Sequence, residues 1–162
     1  MPEKSSPPYL FGDLLALARQ SWVGEMALRL ERRGYADCRR SDTGVLRLLS
    51  REPVTIGMLG AALGITRQAA RKLADALEQR GYARTEPDAR DARRVNVLLT
   101  EEGKEYARAI IEVVEGLNRE LAANVAADDL RAADVVLRAT LNGDAALRAE
   151  ALVMRPHAAG SA

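Results

Sequence analysis

A chain of 162 residues, 48% hydrophobic and 29% charged, has the size and composition of one globular domain with a proper core. No apolar run approaches the ~20 residues a membrane-spanning helix needs, and the opening MPEKSSPPYLFG lacks the apolar stretch and cleavage signal of a secreted protein; a cytoplasmic location without membrane contact is expected. The net charge of +1 hides a polarised chain: residues 66–94 carry eight basic and five acidic side chains, residues 27–47 six and three, and residues 100–150 six and eleven, so the basic middle suits an anionic partner.

Residues 1–8, with three prolines and two serines, read as a disordered lead. Phe11, Leu15, Ala18, Trp22, Met26 and Leu30 then recur every three or four residues, the spacing of one apolar helix face. Gly34 is the expected stop. Ser41-Asp42 is placed to cap a short helix carrying Val45, Leu46, Leu48 and Leu49, which Pro53 ends. Thr55 is placed to cap the next helix (Ile56, Leu59, Ala62, Leu63), which runs to Gly64. Thr66 follows as a further cap for a helix burying Ala69 or Ala70, Leu73 and Leu77 and ending at Gly81.

The period then changes to two. Val95, Val97 and Leu99 alternate with Arg94, Asn96 and Leu98, a strand whose partner is residues 82–86 across a polar, turn-forming loop. Thr100 with Glu101 and Glu102 starts another helix, with acids where the helix dipole favours them. Its stripe is Ile110, Val113 or Val114, Leu117, Leu121 and Val125. Asp128 is expected to cap a last main helix (Leu130, Ala133, Leu137, Leu141) that Asn142-Gly143 ends. A short helix over residues 145–154 and a loose tail over 155–162 complete the expectation. The terminal stripes exceed what a small lobe covers, which favours dimerisation.

The segment LGAALGITRQAARKLADALEQRG (59–81) is the most informative. Ala61, Ala62 and Gly64 suit a close crossing of two helices, with Gly64 in the left-handed conformation a tight turn requires. The second helix exposes Arg67, Gln68, Arg71 and Lys72 near its start. In a helix-turn-helix, the N-terminal residues of the second helix meet the bases in the major groove, where Arg suits guanine and Gln adenine. An ordinary amphipathic helix with a solvated basic face gives the same pattern. The loop that follows is more telling: Arg90, Arg93 and Arg94 with Asp88 and Asp91 are unusual for a connector. Arg side chains suit a narrow minor groove, and the two carboxylates can hold their forks by bidentate pairing.

Two motifs, Leu77-Glu78-x-x-Gly81-Tyr82-x-Arg84 and Asp88-x-Arg90-Asp91-x-Arg93 followed by Leu99-Thr100-x-x-Gly103, together with the order of helices, resemble the MarR family of bacterial regulators over roughly residues 9–141. The resemblance implies a mainly helical α+β fold, a winged helix-turn-helix with long N- and C-terminal dimerisation helices. The expected layout is a single domain over 9–154, with dimerisation helices at 9–35 and 101–154 and a DNA-binding lobe at 41–100. It implies a homodimer on palindromic double-stranded DNA, usually as a repressor. Arg93 would be the wing-tip residue in the minor groove, oriented by Asp91, with Arg90 supporting it or touching phosphate. Thr66, Arg67, Gln68, Arg71 and Lys72 would face the major groove or its backbone. Many members release DNA when a small aromatic or phenolic ligand binds; Trp22 and Met26, on the apolar stripe of the first helix, are expected to pack in the core or a dimer seam and are the alternative candidates for lining such a pocket. The chain departs from the family pattern with Thr43-Gly44 in the second helix and Gly60 after Leu59.

Other chemistry finds little footing. The single His157 lies in the tail, without a metal-ligand cluster or a nucleophile partner, so neither an enzyme nor a bound cofactor or metal is expected. Cys38 beside Arg39 and Arg40 is a thiol that neighbouring cations would activate; its position does not match the family's sensing cysteines, and an inert role is expected. A winged-helix module that binds protein rather than DNA is the alternative, and would show an apolar or acidic face on the second helix.

Overall fold

A computed structural model describes residues 10–89, 91, 93–141 and 143–145. The expected lead (1–8), tail (155–162) and the helix over 145–154 beyond residue 145 lie outside them, as do Arg90, Asn142 and His157.

In chain order the elements are α1 (Phe11–Glu31), α2 (Asp42–Leu49), β1 (Val54–Thr55), α3 (Ile56–Leu63), α4 (Arg67–Gln79), β2 (Ala83–Pro87), β3 (Val95–Leu99), α5 (Glu101–Asn124) and α6 (Ala127–Ala139). This is a mainly helical winged helix-turn-helix. Three caps form as the sequence dictates: the hydroxyls of Thr55, Thr66 and Thr100 accept from the N–H groups of Met58, Ala69 and Gly103. Gly64 ends α3 in the left-handed conformation at φ +67°. The strands form one antiparallel sheet in the order β1-β3-β2, with Val54 opposite Val97 and Thr85 opposite the same residue on the other side.

Several local expectations are corrected. Ser41 makes no side-chain cap; Asp42 turns inward and is 3% exposed. Asp128 does not cap α6, which starts from Ala126 without a side-chain cap. Asp128 lies in the first turn instead, paired with Arg131. α2 stops at Leu49, four residues before Pro53, and Pro53 leads directly into β1, a strand too short to show a period. The close crossing of α3 and α4 is made at Gly60, not at Ala61 or Ala62: a Cβ there would lie 3.1 Å from the Ile65 carbonyl and 3.5 Å from the Ala70 methyl.

The core is continuous. Leu30 and Met26 of α1, Val45, Leu46 and Leu49 of α2, Leu59 of α3, Ala70, Ala74 and Leu77 of α4, Val97 of β3 and Tyr106, Ile110 and Val113 of α5 are buried together. Only the C-terminal end of α1 reaches this core. Leu10, Leu14, Leu15 and Leu17 at its other end are exposed, as are Val135, Val136, Leu137 and Leu141 on or after α6. Among the described residues no helix is long and apolar enough to cross a membrane.

Ion pairs brace the frame. Arg29 of α1 reaches Glu120 of α5 at 2.6 Å, and Arg33 reaches Glu112 at 2.7 Å. Asp37, in the loop after α1, accepts from Arg80 Nε at 2.7 Å. That guanidinium holds the Asp37 carboxyl below its ordinary value of 3.8. The contribution is present above 3.8 and is lost as pH falls through the lowered folded value. Asp37→Asn is therefore expected to reduce Tm at pH 7, with the gap to the wild type narrowing as pH falls below 3.8; thermal melts from neutral to acid pH check it, and a gap constant with pH would refute it.

Candidate nucleic-acid interface

The surface is built outward from α3 and α4. The turn closed by Gly64 and the Thr66 cap aim the first residues of α4 at solvent. Arg67, Gln68, Arg71 and Lys72 are all exposed. Arg71 is partly engaged, its Nε 3.0 Å from Asp75 one turn along. Arg67, Lys72 and Arg93 have no carboxylate partner among the described residues. Free cations of this kind are available to phosphates or base edges.

The wing is tied to α4 by Glu78, whose Oε1 accepts from the Thr85 backbone N–H at 2.9 Å. This explains the Glu in the Leu77-Glu78 motif. Gly81, at φ +79°, makes the turn between helix and strand. At the tip, Asp88 N–H donates to the Arg94 carbonyl and Arg94 N–H to the Asp91 carbonyl, at 2.9 and 2.8 Å. Asp88 Oδ1 accepts from Asp91 N–H at 3.1 Å, and its Oδ2 from Asn96 Nδ2 at 2.9 Å. Asp91 Oδ1 accepts from Arg93 N–H at 3.0 Å. The expectation that Asp91 grips Arg forks is thus modified. It meets Arg93 through the backbone, and its carboxylate pairs with the Arg94 side chain, Nε at 3.6 Å. The loop is shaped by Asx turns, a side-chain substitute for backbone turns, and Arg93 is left exposed.

Arg67 and Arg94 come together. With Thr55, Gly57, Met58 and Val95 they line a shallow cleft of about 280 Å³ where the start of α3, the start of α4 and the base of the wing meet. Sequence reasoning put these residues on separate elements and did not foresee the shared cleft. It also passed over Arg80, which falls on an unspecified position of the Leu77-Glu78-x-x-Gly81 motif.

The ligand-pocket candidates lie elsewhere. Met26 is buried, its sulfur accepting from Thr43 Oγ1 at 3.6 Å, and half-buried Trp22 packs against the same core. Cys38 is half-buried, and burial pushes its thiol up despite the cations nearby. The expected result is slow alkylation by iodoacetamide in the folded protein at neutral pH and rapid alkylation after unfolding. Equal rates would show an activated thiol.

The comparisons agree with this geometry. Residues 36–94 match the family model described as MarR family. Among solved structures, a mutant MarR from E. coli complexed with operator DNA is 23% identical, with 83% of this chain and 95% of that chain covered and a TM-score of 0.69. The S. aureus MepR–DNA complex is 18% identical over 82% and 96%, with a TM-score of 0.71. The transcriptional regulator BldR from Sulfolobus solfataricus is 25% identical over 80% and 93%, at 0.61. No curated protein sequence matches the chain.

Proposed function

We propose that this chain, whose residues 36–94 match the MarR family model and whose fold is a winged helix-turn-helix, regulates transcription as a member of that family by binding a specific double-stranded DNA site as a homodimer. The observation that carries the reading is the cluster of exposed cations on α4 and the wing. Arg67 and Lys72 have no carboxylate partner among the described residues, Arg94 shares a cleft with Arg67, and Arg93 stands exposed at the tip. Such a face suits phosphates and groove edges, and it is not the apolar or acidic recognition face by which a protein-binding winged helix would be told apart. The E. coli MarR and S. aureus MepR structures contain DNA, which supports the same use here.

The homodimer is supported by the uncovered apolar side chains at the two ends of the chain, Leu14, Leu15 and Leu17 on α1 and Val135 and Val136 on α6. Two-fold pairing of two heads calls for a palindromic site with half-sites about one helical turn apart. We read the outcome as repression, by occupancy of the operator in the cytoplasm. A small aromatic or phenolic effector would act beside Trp22, between α1 and the lobe. In the DNA complex, Thr66, Arg67, Gln68, Arg71 and Lys72 would face the major groove or its backbone, and Arg90, Arg93 and Arg94 would follow the wing to the minor groove, with Asp88 and Asp91 setting its shape.

The test is selection of duplexes from a random-sequence pool, followed by gel-shift titration of the winner at two salt concentrations with scrambled competitor. Enrichment of a palindrome whose binding survives competitor and weakens with salt is expected. No enrichment, with equal weak binding to all duplexes, would refute the proposal.

A further inference from the structure

Away from the proposed DNA face, one charged cluster is buried where the two parts of the fold meet. Asp42 is the one buried charged side chain among the described residues. Its carboxylate receives a bidentate fork from Arg80, Nη1 to Oδ1 at 3.1 Å and Nη2 to Oδ2 at 2.9 Å. Oδ2 also accepts from the Arg39 backbone N–H at 2.9 Å and the Tyr106 hydroxyl at 3.1 Å. Arg80 continues to the Asp37 carbonyl at 2.8 Å and lies 5.0 Å over the Tyr82 ring. The Tyr106 ring stacks on Tyr35 at 4.5 Å and meets Tyr82 at 4.7 Å. Burial raises the Tyr106 phenol well above its ordinary range, so it stays a donor.

These groups come from the loop after α1, the start of α2, the end of α4, the approach to β2, and α5. Packing alone needs no such cluster, because apolar side chains of similar volume hold a junction at least as firmly. A bidentate ion pair adds direction: it fixes the plane of the guanidinium against the carboxylate. Arg80 is the C-cap of α4, whose first residues are Arg67 and Gln68. At 1.5 Å per residue the helix is a lever about 20 Å long, so a tilt of about 5° at Arg80 moves the far end by about 1.7 Å. Hydrogen bonds to base edges tolerate only a few tenths of an ångström.

We propose that Asp42, Arg80 and Tyr106 are positioning residues for DNA recognition: the Asp42 carboxylate locks the C-terminal end of α4 to α2 and α5 and so sets the angle at which Arg67 and Gln68 meet the duplex. This rests on the DNA-binding reading above. None of the three needs to touch DNA.

The test has two arms. In the first, without DNA, spin labels are placed by Gln68→Cys and Arg108→Cys in a Cys38→Ser background, and labelled protein is diluted with excess unlabelled protein. Pulsed dipolar spectroscopy then reads the distance from the start of α4 to α5. A single narrow distribution is expected, shifted or broadened by Arg80→Lys and by Asp42→Asn. Val113→Ala, a core truncation on α5 away from the cluster, controls for lost stability and should leave it unchanged. In the second arm, with otherwise wild-type chains and the duplex selected by the wild type, Arg80→Lys should weaken binding about tenfold, the size of a coupling between contacting residues. Affinity for a scrambled duplex should stay within about twofold of wild type on the same scale, and Val113→Ala should move neither. Unchanged label distances in both cluster variants would overturn the proposal, as would equal losses on selected and scrambled DNA, or the same response from Val113→Ala. If the wild type selects no duplex, the DNA-binding reading fails, while the label distances still decide whether the cluster sets the helix.

Discussion

Gly103→Ala should lower the stability of this protein by about 3 kcal/mol, the upper part of the usual range for overpacking a well-filled site. A Cβ at residue 103 would lie 1.8 Å from the Tyr82 carbonyl oxygen and 2.8 Å from its carbon, and both are backbone atoms with no rotamer to yield. The surroundings are pinned. Thr100 N–H donates to that same Tyr82 carbonyl at 3.2 Å, Thr100 Oγ1 donates to the Gly81 carbonyl at 2.5 Å, and Gly103 N–H donates to Thr100 Oγ1 at 3.0 Å. To admit a methyl group, the first turn of α5 must leave the start of the wing. A Tm roughly 10 °C lower follows for a chain of this size, read by calorimetry or circular dichroism. Gly116 on the same helix supplies the control of opposite sign. A Cβ there meets only the ends of the Arg119 and Arg29 side chains, at 3.9 Å. Gly116→Ala should stabilise by about 0.5–1 kcal/mol, the ordinary gain from removing a helical glycine. Equal effects at the two positions would show that the Tyr82 contact is not what fixes residue 103.

Arg93→Ala should weaken binding to the selected duplex by about 1–3 kcal/mol per subunit, or about 30-fold or more if two subunits bind together as proposed. The side chain is exposed and has no carboxylate partner among the described residues, so its removal leaves no buried charge and no broken core contact. Tm and the elution volume in size-exclusion chromatography should therefore stay at wild-type values. The salt dependence of binding should become shallower, since a cation that displaced counterions is gone. Arg94→Ala should cost less at the tip, because Asp91 already holds that guanidinium at 3.6 Å. A full-strength complex with Arg93→Ala would remove the wing tip from the DNA-binding account and leave α4 as its sole carrier.

Much of the fold was legible because its signals are local. Thr55, Thr66 and Thr100 each announce a helix through an N–H only three residues on, and the alternation of Val95, Val97 and Leu99 names the strand's inner face. What escaped depends on partners far along the chain. Asp42 looks like one more capping acid until Arg80 and Tyr106, 38 and 64 residues away, are folded against it. Gly60 read as a departure from the family pattern, yet its missing side chain is what brings α3 onto the turn before α4. In α1 the stripe was visible, but burial stops at its C-terminal end. Leu14 and Leu17 off the stripe are exposed along with Leu15 on it, so apolar residues there surround the helix instead of lining one side. For the candidate DNA-binding face, the sequence named the side chains on α4 and the wing, but not the cleft in which Arg67 and Arg94 meet. It assigned the wing acids to their arginines, whereas their described carboxylate contacts are divided between backbone N–H groups and side chains.

The three-stranded sheet leaves little that another chain could extend. On one side β1 is only two residues long. On the other, β2 carries Arg84 and Glu86, paired with each other at 2.9 Å, and ends at Pro87, which has no N–H to offer. Between them the outward N–H of Thr85 is already taken by the Glu78 carboxylate. Short length, charge, proline and an occupied donor are the devices by which natural sheets resist edge-to-edge aggregation. Here the residue that ties the wing to its helix also blocks that edge, so a Glu78→Ala protein would lose a contact and gain a sticky strand in one step.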